Sequence, residues 1–205
     1  MAKIYEYRGV CDLVYAEVTK DNNETGTGEG YVTGTVKPLA GVAEIGKTTD
    51  STNEAHYYDN IPAVVVQSTG ADTITISASA IPLEVLAEIT GQAYDSTTGM
   101  FTEQERVQKY FAIGYKTQDT DGDEYYVWRL KGSFSVPDQT NSTKNDGTDA
   151  NGQELEFTGV STTHKFTKTG KPAKGVTVDT GLDLIADKAN FFASVQTPDT
   201  VTAKA

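Results

Sequence analysis

The chain has 205 residues, of which 37% are hydrophobic, and a formal charge of −12 at pH 7. That length suits a single domain that buries roughly 70% of its unfolded surface, and the acidity excludes a basic grip on nucleic acid, which needs clustered Lys and Arg to neutralise phosphates. The modest apolar share leaves two options open: a small core carrying long polar loops, or a fold that completes its burial in an assembly. The single Cys11 excludes an internal disulfide. The start, Met1 to Arg8, lacks the apolar run of a signal peptide, and no stretch approaches the ~20 apolar residues of a membrane span. A soluble protein made in the cytoplasm is the expectation.

In chain order, Val10 to Thr19 sets Val14, Ala16 and Val18 against Leu13, Tyr15 and Glu17, which predicts a first strand. Asp21 to Gly30 is turn material, and Tyr31 to Val36 a short, glycine-broken strand. Lys37 to Asn60 is polar around Lys47 to Glu54 and reads as an extended arm or long hairpin; long excursions of this kind are usually functional or disordered. Val64 to Val66 and Ile74 to Ile76 flank Ser68 to Asp72, which predicts a hairpin. Pro82 to Thr90 is the best helix signal, with Pro82 in the first turn, Leu83, Leu86, Ala87 and Ile89 as an apolar stripe, and Gly91 as the stop.

The stretch from Tyr110 to Gly159 is the expected hydrophobic centre. Tyr110 to Tyr115 leads through the acidic turn Thr117 to Glu124 into Tyr125 to Val136. There Tyr126, Trp128, Leu130, Phe134 and Val136 alternate with Val127, Arg129, Lys131, Ser133 and Ser135. Period-two aromatic and β-branched patterning predicts a strand with one buried face, ended by Pro137. After the polar loop Asp138 to Gly152, Glu154 to Thr158 reads as a third strand with Leu155 and Phe157 inward. The predicted core is Leu83, Leu86, Phe111, Ile113, Trp128, Leu130, Phe134 and Phe157. Beyond Gly159 the patterning weakens: His164 to Lys168 and Val176 to Val178 read as strands, Leu182 to Phe192 as a second short helix, and 197–205 as a flexible tail. The expected organisation is one domain over 1–196 with an arm at 37–62. Its class is mainly β, a β-sandwich or partial barrel with one flanking α-helix.

Two motifs invite chemistry. Gly41-Val-Ala-Glu-Ile-Gly46-Lys47-Thr48 matches the phosphate-loop pattern, but that loop works only between a buried strand and a helix, where N–H groups converge on the phosphates. Thr49 to Asn53 is no helix interior, so Gly41, Gly46, Lys47 and Thr48 read as a chance match. Asp119-x-Asp121-x-Asp123 begins like a calcium loop, but Glu124 replaces the required glycine and Leu130 the final bidentate Glu, so a solvated turn is read instead. His56 and His164 stand apart from each other and from Cys11, and no catalytic, metal or cofactor constellation emerges.

Three blocks taken together carry a resemblance. The first is Asp12 to Thr19, Lys37 to Gly41 and Tyr57 to Pro62; the second is Ile81 to Asp95; the third is Phe111 to Tyr115, Tyr126 to Pro137 and Thr143-Lys144. In this order they resemble the major tail proteins, or tail tube subunits, of bacteriophages with long non-contractile tails (siphophages). The likeness runs from Val10 to Gly159 and more faintly through Phe191-Phe192. It implies a non-enzymatic virion protein, assembled in the host cytoplasm, whose hexameric rings stack into a hollow tube around a tape-measure protein. It further implies tail-tip and tail-terminator partners, no cofactor, no membrane, and DNA passing through the lumen without specific binding. The acidity suits such a lumen, because like charge lowers binding to phosphates.

On this reading the Lys37 to Pro62 arm locks ring to ring, with Lys47, Thr48, Asp50, His56, Tyr57, Tyr58 and Asp59 as contacts. Aromatics favour interface cores, but Tyr57 and Tyr58 could equally cap the domain's own core. A reading from another class is an acidic β-sandwich module binding a carbohydrate or other ligand through Tyr125, Tyr126 and Trp128; it predicts a monomer with ligand-dependent tryptophan fluorescence.

Overall fold

A computed structural model describes residues 4–23, 30–141, 143 and 151–204. The rest of the Asp21 to Gly30 turn and of the Asp138 to Gly152 loop, with Lys144 and Ala205, lies outside them. The chain is mainly β with one helix among the described residues. Strands β1 (Tyr7–Asp21), β2 (Tyr31–Thr33), β3 (Lys37–Pro38), β4 (Val42–Tyr58) and β5 (Ile61–Ala78) precede helix α1 (Leu83–Thr90). Then come β6 (Ala93–Asp95), β7 (Met100–Thr102), β8 (Phe111–Asp119), β9 (Glu124–Phe134), β10 (Asp138–Gln139), β11 (Gln153–Gly159) and β12 (Gly175–Asp179). The main sheet runs β2-β1-β8-β9-β11-β5-β4, with β3 beside β1, β10 beside β11 and β12 beside β9; β6 and β7 form a separate pair.

The sheet forks along β9, where Tyr125–Arg129 ladders with β12 while Gly132–Phe134 ladders with β11. The cause is a bulge: Phe111 pairs with Gly132 but Ile113 pairs with Arg129, so β9 carries an extra residue there and turns over. Tyr126, Trp128 and Leu130 therefore enter one core, and Phe134, which simple alternation places beside them, enters the other with Val127. Gly132 is required at this crossing, because a Cβ there would meet the Phe157 ring at 2.4 Å. Alternation predicts one buried face for this strand; the structure buries both. The same holds for β1, whose Leu13 and Tyr15 face one core and Ala16 the other.

The first core gathers Phe111, Ile113, Phe134, Leu155 and Phe157 with Ile74 and Ile76, and α1 lies over it. Phe134 and Phe157 meet edge to face at 5.0 Å, the arrangement the ring quadrupoles favour. The helix ends on Gly91 at φ 68°, where a side chain would also strike the Val107 carbonyl oxygen. Its inward residues are Ala87, Ile89 and Thr90 with Val85 and Leu86 half-buried. Leu83, expected in the core, is 48% exposed: it shares a face with the buried Ala87 but lies one turn earlier, at the very start of the helix. Glu88 Oε2 accepts from Tyr15 Oη at 2.7 Å and from Lys37 Nζ at 2.9 Å, tying α1 to β1 and β3.

The second core, around Trp128, Leu130, Phe166 and Phe191, is covered by the segment after Gly159. That cover has little regular structure. Val176 to Val178 lie in β12, but His164 to Lys168 contribute only a bridge at Phe166, and Leu182 to Phe192 form turns rather than the expected helix. Outside the β12 ladder on β9, aspartates are the fastening. Asp21 accepts from Lys131 Nζ at 2.6 Å and from the Thr163 and His164 N–H groups, and Asp199 accepts from the Thr167 and Lys168 N–H groups. The expected loose tail is also fastened up to Lys204: Thr197 is buried, Val201 packs on the core, Ala203 bridges Ile185, and the Lys204 N–H donates to the Leu184 carbonyl.

Candidate assembly interface

β4 and β5 pair antiparallel from Val42–Ala78 to Tyr58–Ile61, making one long hairpin. Its turn is Asp59-Asn60, with φ of 51° and 65°. Positive φ at both central residues is the two-residue hairpin turn whose twist matches the strands, and Asp and Asn tolerate it better than other side chains. Ser68 to Asp72, predicted as a turn, is strand within β5, bent by a bulge: Thr49 pairs with Asp72 but Ser51 with Thr69, so β5 carries one extra residue there. The inner part of β5 alternates, with Asp72, Ile74, Ile76 and Ala78 buried; from Asp50 to Gly70 every residue of the hairpin is exposed. About ten residue pairs beyond the sheet, at about 3.3 Å each, carry the tip roughly 30 Å from the body.

Towards its tip and along β5 this arm exposes large apolar side chains, on both faces at Val64 to Val66. Tyr57, Tyr58 and Ile61 are 67%, 63% and 64% exposed, and Val64, Val65 and Val66 are also exposed large hydrophobics. Tyr57 and Tyr58 therefore cap no core of their own chain. Of the predicted contacts, Asp50, His56, Tyr57, Tyr58 and Asp59 lie on the arm, while Lys47 and Thr48 lie at its root, opposite Ile74 and Thr73. Sequence reasoning missed Ile61 and Val64 to Val66. The signal was present: three consecutive valines with no polar alternation suit a strand covered on both faces, and no described residue of this chain covers them.

The root is held by one carboxylate. Asp72, 3% exposed, accepts from Lys174 Nζ at 3.0 Å, with Lys47 Nζ and Arg129 Nη1 each 3.9 Å away. Lys174 also donates to the Gly70 carbonyl. Burial pushes the Asp72 carboxyl up, but the Lys174 and Thr49 hydrogen bonds and the Lys47 charge outweigh it and hold the group below the usual carboxylate range.

The chemical motifs take structural roles. Val42 to Thr48 is extended strand laddered on β5, so its N–H groups do not converge as a phosphate loop requires. Asp119 Oδ1 accepts from the Asp121 and Asp123 N–H groups at 2.9 Å each, which closes the β8–β9 turn. No acidic, His or Cys cluster among the described residues has the makings of a metal site. Trp128 is fully buried and Tyr125 and Tyr126 are 7% exposed, so the aromatics of the ligand-binding reading form no open platform. Among the described residues no helix is long and apolar enough to cross a membrane. The sequence matches no protein-family model and no curated protein.

Proposed function

We propose that this chain is a structural virion subunit that assembles with copies of itself into stacked, hexameric rings, forming the hollow tube of a long non-contractile phage tail. The tube surrounds a tape-measure protein, is bounded by tail-tip and tail-terminator proteins, and passes DNA without binding it specifically. The single observation that carries the reading is the arm: a two-stranded ribbon with exposed Tyr57, Tyr58, Ile61 and Val64 to Val66 standing clear of the sheet. A lone hairpin is marginal in water, and its open edges invite pairing with another chain. Covering Ile61 and the three valines is worth about 1.5–3 kcal/mol each, offset by the freedom lost on association. The blocks resembling tail tube subunits supply the ring and tube geometry.

Negative-stain electron microscopy over a concentration series, with light scattering alongside, tests this. Hollow rings or tubes are expected. Compact monomers at every concentration, even after seeding with tail tips or tape-measure protein, would overturn it.

A further inference from the structure

Beside the root of the arm, a groove of about 630 Å³ opens between β1 and β4. Val10 and Ile45 form its sides, Tyr115 and Val127 its floor, and Lys47 and Arg129 its charged end. It exists because the sheet curls until β1 and β4 share the first core without laddering to each other, and among the described residues the outer edge of β4 has no partner strand.

Its lining includes one acid, Glu44, beside the cations Lys47 and Arg129, and cations outnumber acids at the charged end. Asp72 is shared by Arg129, Lys47 and Lys174, three cations around one carboxylate. Arg129 Nε is buried with no hydrogen-bond partner among the described residues, a state that costs free energy until an acceptor arrives. The arm has the opposite character. From Thr48 to Ala71 it carries Asp50, Glu54 and Asp59 and neither Lys nor Arg, with Asp59 at the tip between Tyr58 and Ile61.

From this complementarity we infer that the groove receives the arm tip of a second copy of this chain, with Tyr58 and Ile61 on the apolar floor and the Asp59 carboxylate accepting from Arg129 and Lys47. The inference rests on the self-assembly reading and names its receptor. The occupant comes from another copy because the hairpin leaves the body at this very groove and stays paired, through two bulges, out to a tip roughly 30 Å away, too far to fold back into it. Arm and groove are different surfaces, so the contact is heterologous: each copy gives an arm and accepts one, and the series extends until rotation closes it.

The test places a photoreactive benzoylphenylalanine at position 58 of the full chain, a site exposed enough to leave the fold unchanged, and maps crosslinks by mass spectrometry in assemblies mixed from isotopically light and heavy protein. Light–heavy crosslinks to Tyr7–Val10, Ala43–Lys47 or Tyr115–Arg129 are expected. Tubes whose crosslinks fall elsewhere would overturn the groove and leave the assembly reading standing; failure of the wild-type chain to assemble at all would overturn both. A charge exchange adds a second readout. Asp59→Lys and Lys47→Asp are each expected to cut tube yield at least ten-fold, and the pair together to restore it; Lys47 is chosen because its side chain is 34% exposed and its loss leaves Lys174 on Asp72. A double variant no better than either single one would count against the pairing.

Discussion

The inner and outer parts of β5 belong to one strand and live in different surroundings. From Asp72 to Ala78 the strand lies inside the sheet between β11 and β4, with every second side chain buried; from Ile61 to Gly70 it pairs, among the described residues, with β4 alone and every residue is exposed. The sequence differs accordingly. The inner part alternates Thr and Ile, the pattern of a strand with one covered face, whereas Ala63-Val-Val-Val66 is a continuous apolar run suited to cover on both. A strand's composition reports the surroundings it suits, and on the proposed function the outer part finds its cover in an assembly.

The comparison predicts that body and arm respond oppositely to substitution. The largest stability effect falls on the body: Trp128→Ala, at a fully buried side chain, is expected to cost about 3–5 kcal/mol by denaturant unfolding. Next, Asp72→Asn at the root is expected to cost about 2 kcal/mol, since it removes the charged acceptor of Lys174. That loss should depend on pH. Asp72, Asp21 and Glu88 are each pushed up by burial but held below their ordinary values by hydrogen bonds, led by Lys174, Lys131 and Lys37 respectively. A depressed carboxyl stabilises the fold above its unfolded pKa, and that contribution is lost as pH falls through its folded value. Thermal midpoints should therefore be flat near neutrality and fall below about pH 4, less steeply in Asp72→Asn.

Smaller effects on the monomer belong to the arm. Val65→Asp is expected to change unfolding free energy by less than about 0.5 kcal/mol yet to abolish sedimenting assemblies, because Val65 touches no core of its own chain. Leu83→Ser sets the lower end: the side chain is half-exposed and outside the arm, so stability within about 0.5 kcal/mol of the original and unaltered assembly are both expected.

Local signals were strong enough to make much of this legible in the sequence. The β8–β9 hairpin showed in its alternation, and α1 in Pro82, its apolar stripe and the Gly91 stop. The central bulge was hidden, because one extra residue at Leu130-Lys131 reverses the faces without altering the polarity pattern. The C-terminal cover was hidden for another reason: side-chain bonds from Asp21 and Asp199 to backbone N–H groups hold it, and such bonds leave no periodicity. Of the exposed arm, the sequence singled out the tip through its aromatics. Its valine strand was missed because Ser68 to Asp72 has turn composition, yet forms a bulge opposite Thr49 to Thr52 through which the strand continues.

The most direct test is to shorten the arm symmetrically. Replacing 53–67 by Asn-Gly joins the paired residues Thr52 and Ser68 through a hairpin turn and leaves both cores untouched. Sedimentation velocity and electron microscopy of the shortened and full chains, side by side, then report on the arm alone. The account predicts a folded monomer from the shortened chain under conditions where the full chain forms rings or tubes. Tubes of equal yield from both would contradict it.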